Sequence, residues 1–166
     1  MQTKDAIKLR RSTREFDSKA VISRENIDKL IDAARLAPTA RNIQPWEFIV
    51  ISDRDTLERI GLLADNGRFI KDASACIAIF CKDTKYYLED GCAATENLLL
   101  AATDLGLDSC WVAGDKKPYC GDIKELLKVP DEFKLVSLIV LGKAMMKKEA
   151  DVPKRSLNEV IHWNKF

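Results

Sequence analysis

The sequence predicts one domain of the α/β or α+β class, in which helices alternate with the strands of a sheet. Apolar residues recur at helical spacing in several segments, and short apolar runs separate these segments. The chain has 166 residues, a length at which about 70% of the unfolded surface can be buried. No repeat or shift in composition divides it, so we expect a single domain over residues 1–166, with 143–166 as a C-terminal arm.

The first part of the chain predicts three helices and one strand. Thr3 is expected to cap a short first helix, and Ser23 is expected to cap a second helix that Pro38 ends. A strand begins at Trp46, where the sequence reads WEFIVIS. The apolar spacing within residues 55–64 predicts the third helix.

The second part of the chain predicts three strands and two helices. The run ACIAIFC at 75–81 is apolar throughout, which is typical of a central strand covered on both faces. A long helix over 90–105 ends at Gly106, which suits the C′ position. A strand, a helix and a final strand follow at 109–114, 120–129 and 134–142. The segment SLNE at 156–159 matches a capping box and predicts a short helical turn in the arm.

The helix over 90–105 is apolar around almost its whole circumference. A helix of this kind is buried on all sides. Two arrangements account for it: a central helix in a monomer, or a helix between its own sheet and a second subunit. The adjacent carboxylates Glu89 and Asp90 are expected to interact with the helix dipole rather than to act as acid and base.

Composition and charge exclude several classes of protein. Basic and acidic residues nearly cancel, at 27 against 26, so the chain has no global field for nucleic acid. Five cysteines without a CxxC motif predict reduced thiols and a reducing compartment, which we take as the cytoplasm. The N-terminus has no apolar signal core, and no apolar run is long enough to span a membrane. A single histidine, His162, argues against a histidine metal site or a catalytic triad.

The segment LRRSTREF at 9–16 concentrates positive charge in one turn. Arg10 and Arg11 follow a helix, where cations interact favourably with the dipole, and a solvated surface is the simpler interpretation. Ser12 and Arg14 favour a second interpretation, because guanidinium groups and a hydroxyl match the oxygens of a phosphate monoester. The two interpretations stay open at this point.

The basic pair Lys154 and Arg155 in the arm could join the same phosphate if the arm returns to the first turn. The sequence contains neither GxGxxG nor GxxxxGK[ST], so it lacks the dinucleotide fingerprint and the P-loop.

Two further segments contain groups that suit the edge of a heterocycle. Asn42 and Gln44 in the loop 37–45 offer amide donors and acceptors, although turn formation and surface exposure explain each residue alone. The strand at 109–114 ends in Ala113 and Gly114, whose small size lets backbone amides approach a ligand closely.

Four segments together resemble the nitroreductase family of FMN-dependent oxidoreductases. The segment RRSTR at 10–14 resembles the family's opening, and APTARNIQPWEFIVI at 37–51 resembles its APSxxNxQPWxF pattern. LGLDSCWVAG at 105–114 resembles the strand beside the flavin, and PKRSLNEVIHW at 153–163 resembles the basic C-terminal segment. They follow the family order and extend over almost the whole chain.

The resemblance implies an α+β fold with a mixed, mostly antiparallel sheet flanked by helices, built as an intertwined homodimer with FMN at the interface. It implies an NAD(P)H-dependent oxidoreductase that passes hydride through flavin N5 to a small acceptor such as a nitroaromatic, a quinone or an enone. A flavin-binding carrier or sensor without turnover is the alternative. A nucleic-acid binder is the third hypothesis, which the balanced charge opposes.

The resemblance also assigns cofactor-binding residues, and it names no catalytic side chain. The phosphate and ribityl end is implied for Arg10, Ser12 and Arg14, with Arg11 nearby and Lys154 and Arg155 joining them. Residues that line the flavin from the partner subunit are implied to be Pro38, Thr39 and Ala40, with Asn42 and Gln44 alongside.

For the ring, the resemblance implies that the amides of Ala113 and Gly114 point at flavin N5 and O4. Asn66 is implied at the pyrimidine edge. Larger family members carry extra helices over the substrate site, so this short chain is expected to have an open or narrowly lidded site.

Overall fold

The computed structural model describes residues 1–146 and 152–166. Within these residues five α-helices flank one four-stranded sheet, which confirms the α+β class. The helices are α1 (Thr3–Leu9), α2 (Arg24–Arg35), α3 (Arg54–Leu63), α4 (Tyr87–Asp104) and α5 (Cys120–Leu126). The strands are β1 (Trp46–Ile51), β2 (Ala75–Lys82), β3 (Asp108–Ala113) and β4 (Phe133–Gly142).

The strands lie in the order β1-β2-β4-β3, and each neighbouring pair is antiparallel. Strands β2 and β4 occupy the centre and are buried along nearly their whole length, as the apolar run in β2 predicted. Strand β3 is at one edge, where Ser12 forms an isolated parallel bridge with Ser109. The sheet is therefore antiparallel with a short parallel addition at the β3 edge.

Helices cover both faces of the sheet. Side chains from α2 and α4 form one core with the first face, with Leu30 and Leu98 fully buried against Ile139. Side chains from α3 and α5 form the other core, which includes Leu57 and Ile123. Because both faces of the sheet are apolar and each packs against one core, the positions of the strands are fixed.

The local signals in the sequence identify most element ends. Ser23 caps α2 by accepting a hydrogen bond from the Asn26 amide at 3.2 Å. Gly106 follows α4 with φ of +67°, a conformation that glycine adopts without strain. The capping box between Ser156 and Glu159 is present. The predicted cap at Thr3 is wrong, because Thr3 is the first residue of α1 and the cap position has no side-chain bond.

Helices of the same chain cover part of the outer face of α4. Asn97 donates to the Ala33 carbonyl at 3.1 Å, which joins α4 to the C-terminal half of α2. Asp104 forms an ion pair with the N-terminal ammonium that precedes α1. Leu100 lies on this outer face and is only partly buried. The apolar circumference of α4 is thus explained partly within one chain.

The described part of the C-terminal arm is exposed at every residue from 152 to 166. The hydrogen bonds of residues 152–166 join these residues only to one another. Leu157 and Trp163 are 71% and 84% exposed, and Phe166 is fully exposed. These apolar side chains have no cover from the described residues of their own domain.

Gly114 directly follows β3, at a position where no side chain fits. A Cβ atom on Gly114 would lie 2.7 Å from the Val136 carbonyl carbon and oxygen, and 2.8 Å from the Leu135 oxygen. These atoms belong to the backbone of the central strand β4 and cannot move easily. The close packing of β3 on β4 therefore requires glycine at this position.

We expect Gly114→Ala to lower the free energy of unfolding by about 1–3 kcal/mol, the usual cost of overpacking. The matched control is Gly121→Ala in α5, where an added Cβ would meet no atom within 4 Å. That variant should be unchanged or more stable by up to about 1 kcal/mol, because alanine favours helix. Chemical denaturation measures both, and equal stability of the two variants would contradict the packing assignment.

Candidate functional site

The outer edge of β3 presents backbone groups that the sheet does not use. The Gly114 amide donates to the Val136 carbonyl at 3.1 Å, toward β4. Residues of an antiparallel pair alternate between bonded and non-bonded positions, so the Ala113 N–H points away from β4. The Ser109 carbonyl has the same direction, because it accepts a hydrogen bond from the Thr13 amide at 2.9 Å.

The predicted direction of the Gly114 amide is therefore wrong. We expected both Ala113 and Gly114 to offer amides to a ligand, but the Gly114 amide completes the β3–β4 ladder. Glycine is needed there for packing on Val136, and not for approach to a ligand. Of the two predicted donors, only Ala113 directs its N–H to the open edge.

The segment 10–14 lies beside the start of β3 and brings three predicted residues together. Burial raises the pKa of the Cys110 thiol, whereas the proximity of Arg14, Ser12 and Arg10 acts in the opposite direction. All three side chains therefore lie near Cys110. Arg10, Ser12 and Arg14 are every second residue of an extended segment, so their side chains lie on the same side of it.

The three basic residues of this segment have different surroundings. Among the described residues, none forms a hydrogen bond or an ion pair with the exposed Arg14 guanidinium. Arg10 is partly buried and lies 4.0 Å from the Glu96 carboxylate. Arg11 donates to the carbonyls of Lys8 and Arg10, at 2.6 Å and 2.8 Å. Arg11 thus binds carbonyls at the end of α1, as the simpler interpretation predicted. The proposed anion site therefore depends on Arg10, Ser12 and Arg14.

The loop 37–45 has an unusual backbone. Arg41, Asn42 and Gln44 have φ values of 55°, 56° and 52°, in the left-handed region. Such residues are held by the surrounding structure and occur often at ligand sites. The Gln44 side chain donates from Nε2 to Asn42 Oδ1 at 3.2 Å, so the two predicted amides form one unit.

Asp90 anchors this loop to the first turn of α4. Its carboxylate accepts from the Thr39 hydroxyl at 2.8 Å and from the Ala40 amide at 3.0 Å. The Thr39 oxygen also accepts from the Gln44 amide at 3.1 Å. The sequence suggested only a dipole interaction for Asp90, because its partners lie about 50 residues away along the chain.

Side chains also hold the backbone at the C-terminal end of β3. Tyr119 donates its hydroxyl to the Ala113 carbonyl. The Cys120 thiol donates to the Gly114 carbonyl at 2.8 Å. Tyr87 donates to the Asp115 carboxylate at 2.6 Å, and this bond is the largest cause that raises the pKa of Tyr87 to about 12.

Two predicted groups lie outside this cluster of contacts. Asn66 is exposed in the turn after α3. Its neighbour Asp65 contributes to the raised pKa of Tyr119, after burial and Cys120, which places this turn toward the same end of β3. Lys154 and Arg155 lie on the exposed arm, where Arg155 donates to the Glu159 carbonyl. Their meeting with Arg10 and Arg14 stays a prediction.

The geometry fits an elongated ligand with an anionic end. Ser109 and Ala113 are four residues apart in β3, which corresponds to ~13 Å at about 3.3 Å per residue. Guanidinium groups lie at the first end and an outward N–H lies at the second. Within residues 1–146 and 152–166, no cluster of His, Cys, Asp and Glu could hold a metal ion. No helix in the same ranges is long and apolar enough to cross a membrane.

Comparisons with known proteins match the chain to one family. The family model of the nitroreductase family matches residues 7–74 and 66–143. A protein of Archaeoglobus fulgidus, provisionally named NADH dehydrogenase/NAD(P)H nitroreductase, is 38% identical over 141 residues, which cover 80% of each protein.

Solved structures have the same fold. A protein of Parabacteroides distasonis with the same provisional name aligns with a TM-score of 0.91 and 32% identity, over 100% of this chain and 99% of that one. An FMN-dependent nitroreductase of Clostridium difficile aligns with a TM-score of 0.89 and 30% identity, over 97% and 98% of the two chains.

We expect Arg14→Ala to weaken the binding of inorganic phosphate at least about tenfold, because one hydrogen bond to a charged group contributes about 1.5–3 kcal/mol. Isothermal titration at low salt measures the affinity. Arg24→Ala is the matched control, since Arg24 is an exposed arginine whose partner is Asp28 on α2. The same phosphate affinity in wild type and both variants would contradict the anion site.

Proposed function

This chain belongs to the nitroreductase family, and on that premise we propose that it is an FMN-dependent oxidoreductase. It passes hydride from NAD(P)H through flavin N5 to a small electron acceptor, such as a nitroaromatic, a quinone or an enone. The observation that carries the proposal is the open edge of β3, with Arg10 and Arg14 near one end and the outward Ala113 N–H at the other.

The first end of this edge fits a phosphate monoester. The guanidinium groups of Arg10 and Arg14 supply charge and paired donors, and the Ser12 hydroxyl supplies a further donor. The partners of Arg10 and Arg14 differ, because Glu96 partly neutralises Arg10 whereas no described residue pairs with Arg14. Arg14 is therefore the residue best able to bind an added anion.

The second end fits the ring of a flavin. When bound, the flavin supplies the chemistry, because its N5 accepts hydride and delivers it to the acceptor. The Ala113 N–H is the protein donor that faces this position, and the ladder to β4 fixes its direction. The ~13 Å between the two ends of β3 is long enough to accommodate a ribityl chain between phosphate and ring.

The loop 37–45 supplies a second wall of the site, from the partner subunit of a homodimer. The Thr39 hydroxyl and the Ala40 amide already bind Asp90, so residues 38–40 contact the ring through apolar surface. Polar contacts come from the paired amides of Asn42 and Gln44.

The homodimer also covers the arm. Residues 152–166 place large apolar side chains in solvent, and contiguous exposed apolar surface is typical of an interface. In a second subunit the arm has a surface on which Leu157, Trp163 and Phe166 can be buried. It then carries Lys154 and Arg155 toward the phosphate end of the site.

We expect purified protein to bind FMN, and NAD(P)H to bleach the bound flavin under anaerobic conditions. An added quinone or nitroaromatic should then restore the yellow colour. Riboflavin is the matched control ligand, since it lacks only the phosphate. It should bind at least about a hundredfold more weakly if two charge-assisted hydrogen bonds are lost.

Absorbance at the flavin band measures each step. Bound FMN that no nicotinamide reduces would contradict the enzyme and support a carrier or sensor. Equal affinity for riboflavin and FMN would contradict the placement of the phosphate at Arg14.

We expect the protein to sediment as a dimer at micromolar concentration, and Trp163→Ala to weaken dimerisation about tenfold or more, because a buried aromatic anchor is often an interface hot spot. Lys165→Ala is the control on the same arm, since it removes a charge and little apolar surface. Analytical ultracentrifugation measures both. A flavin-loaded monomer of wild type would overturn the arm's role.

A further inference from the structure

We propose that Asp90 is a positioning residue for the redox site. Its buried carboxylate sets the conformation of the loop 37–45 and so directs the amides of Asn42 and Gln44 toward the ligand. The inference rests on the proposed function, because it assigns these amides to the flavin wall. Asp90 itself makes its contacts with the protein, through Thr39 and Ala40.

Asp90 is buried, so its two hydrogen bonds are needed to stabilise the carboxylate. Only 5% of the residue is exposed, and no described residue forms an ion pair with it. A buried carboxylate is costly unless hydrogen bonds satisfy it. Here each oxygen accepts one bond from the loop, and the first turn of α4 adds the positive end of a helix dipole.

The carboxylate also fixes the direction of a hydrogen-bond relay. The Thr39 hydroxyl donates its single hydrogen to the Asp90 carboxylate. The Thr39 oxygen is then free to accept from the Gln44 amide, and it does so at 3.1 Å. The relay therefore runs from Asp90 through Thr39 to the backbone of Gln44.

This relay reaches the strained part of the loop. Arg41, Asn42 and Gln44 all have left-handed backbone conformations, which are costly for residues with a Cβ. The relay holds both sides of this stretch, at Ala40 and at Gln44. Without the carboxylate, we expect the loop to relax and the amide pair to lose its orientation.

The same turn of α4 also reaches the open edge of β3. Tyr87, three residues before Asp90, donates to Asp115 just beyond Ala113 and Gly114. One helical turn thus contacts both kinds of segment that we assign to flavin sites, and in the proposed homodimer these two segments of one chain line two different sites. Asp90 anchors the first segment and Tyr87 anchors the second.

The test compares Asp90→Asn with Thr39→Val in the FMN-loaded protein. The first change keeps the shape of the side chain but replaces one acceptor oxygen with an amide nitrogen that cannot accept. The second change keeps the shape of threonine but removes the hydroxyl. Each variant should lower the rate of flavin reduction at saturating NAD(P)H about tenfold, the factor expected for one lost hydrogen bond to a charged group.

One further readout and three further variants separate positioning from general stability. The visible circular dichroism of bound FMN should change in both variants, because it reports the asymmetry around the ring. Thr39→Ser, which keeps the hydroxyl, should recover most of the rate and of the dichroism that Thr39→Val loses. The double variant should be no slower than the slower single variant, because both changes interrupt one relay. Asp53→Ala, which removes the N-cap of α3, should lower stability without changing the spectrum or the rate.

The outcomes separate this inference from the proposed function. A wild-type protein that binds no FMN would refute the function, and the inference with it. A wild-type protein that binds FMN, with unchanged dichroism and rates in Asp90→Asn and Thr39→Val, would overturn only the positioning role. Additive losses in the double variant would overturn the relay. If Asp90→Asn does not fold, Thr39→Val against Thr39→Ser decides the question.

Discussion

The pairing of β3 with β4 is the constraint on which the site depends. Gly114 donates to Val136 at one end of this ladder, and the alternation of an antiparallel pair then fixes the direction of every backbone group in β3. One set of groups faces β4, and the other set faces the open edge. The Ser109 carbonyl in the outward set binds Thr13, which draws the segment 10–14 alongside the strand. The direction of the Ala113 N–H and the position of the arginine side chains therefore have the same origin.

The helical layer supports, from one face of the sheet, two segments that we assign to the flavin sites of the dimer. Helix α4 packs on the central strands through a continuous buried side, so its first turn has a fixed place relative to β3. Asp90 and Tyr87 in that turn use side-chain hydrogen bonds to hold two loops that are distant in sequence. The loops themselves contain left-handed residues, and their conformation depends on this support. A rigid core thus determines the geometry of an exposed site.

The order and type of the elements could be predicted from the sequence, because apolar periodicity and caps such as Ser23 and Gly106 are local signals. The strand order could not be predicted from these signals, because it depends on contacts between distant segments. The same limit applies to Asp90, which looked like an ordinary acidic residue at a helix start until its partners in the loop were known. The role of Gly114 was misassigned for this reason too, since only the structure places the β4 backbone against it. The resemblance supplied the family and the site segments, and the structure separated Arg11 from its neighbours.

A crystal structure of the protein with bound FMN tests the central claim most directly. The account predicts that the phosphate lies within hydrogen-bonding distance of Arg14 and Ser12, and that flavin N5 faces the Ala113 N–H. It also predicts that the Gly114 amide still binds Val136, with Asn42 and Gln44 of the partner subunit beside the ring. A phosphate bound away from the segment 10–14, or a ring that does not lie against the open edge of β3, would contradict the account.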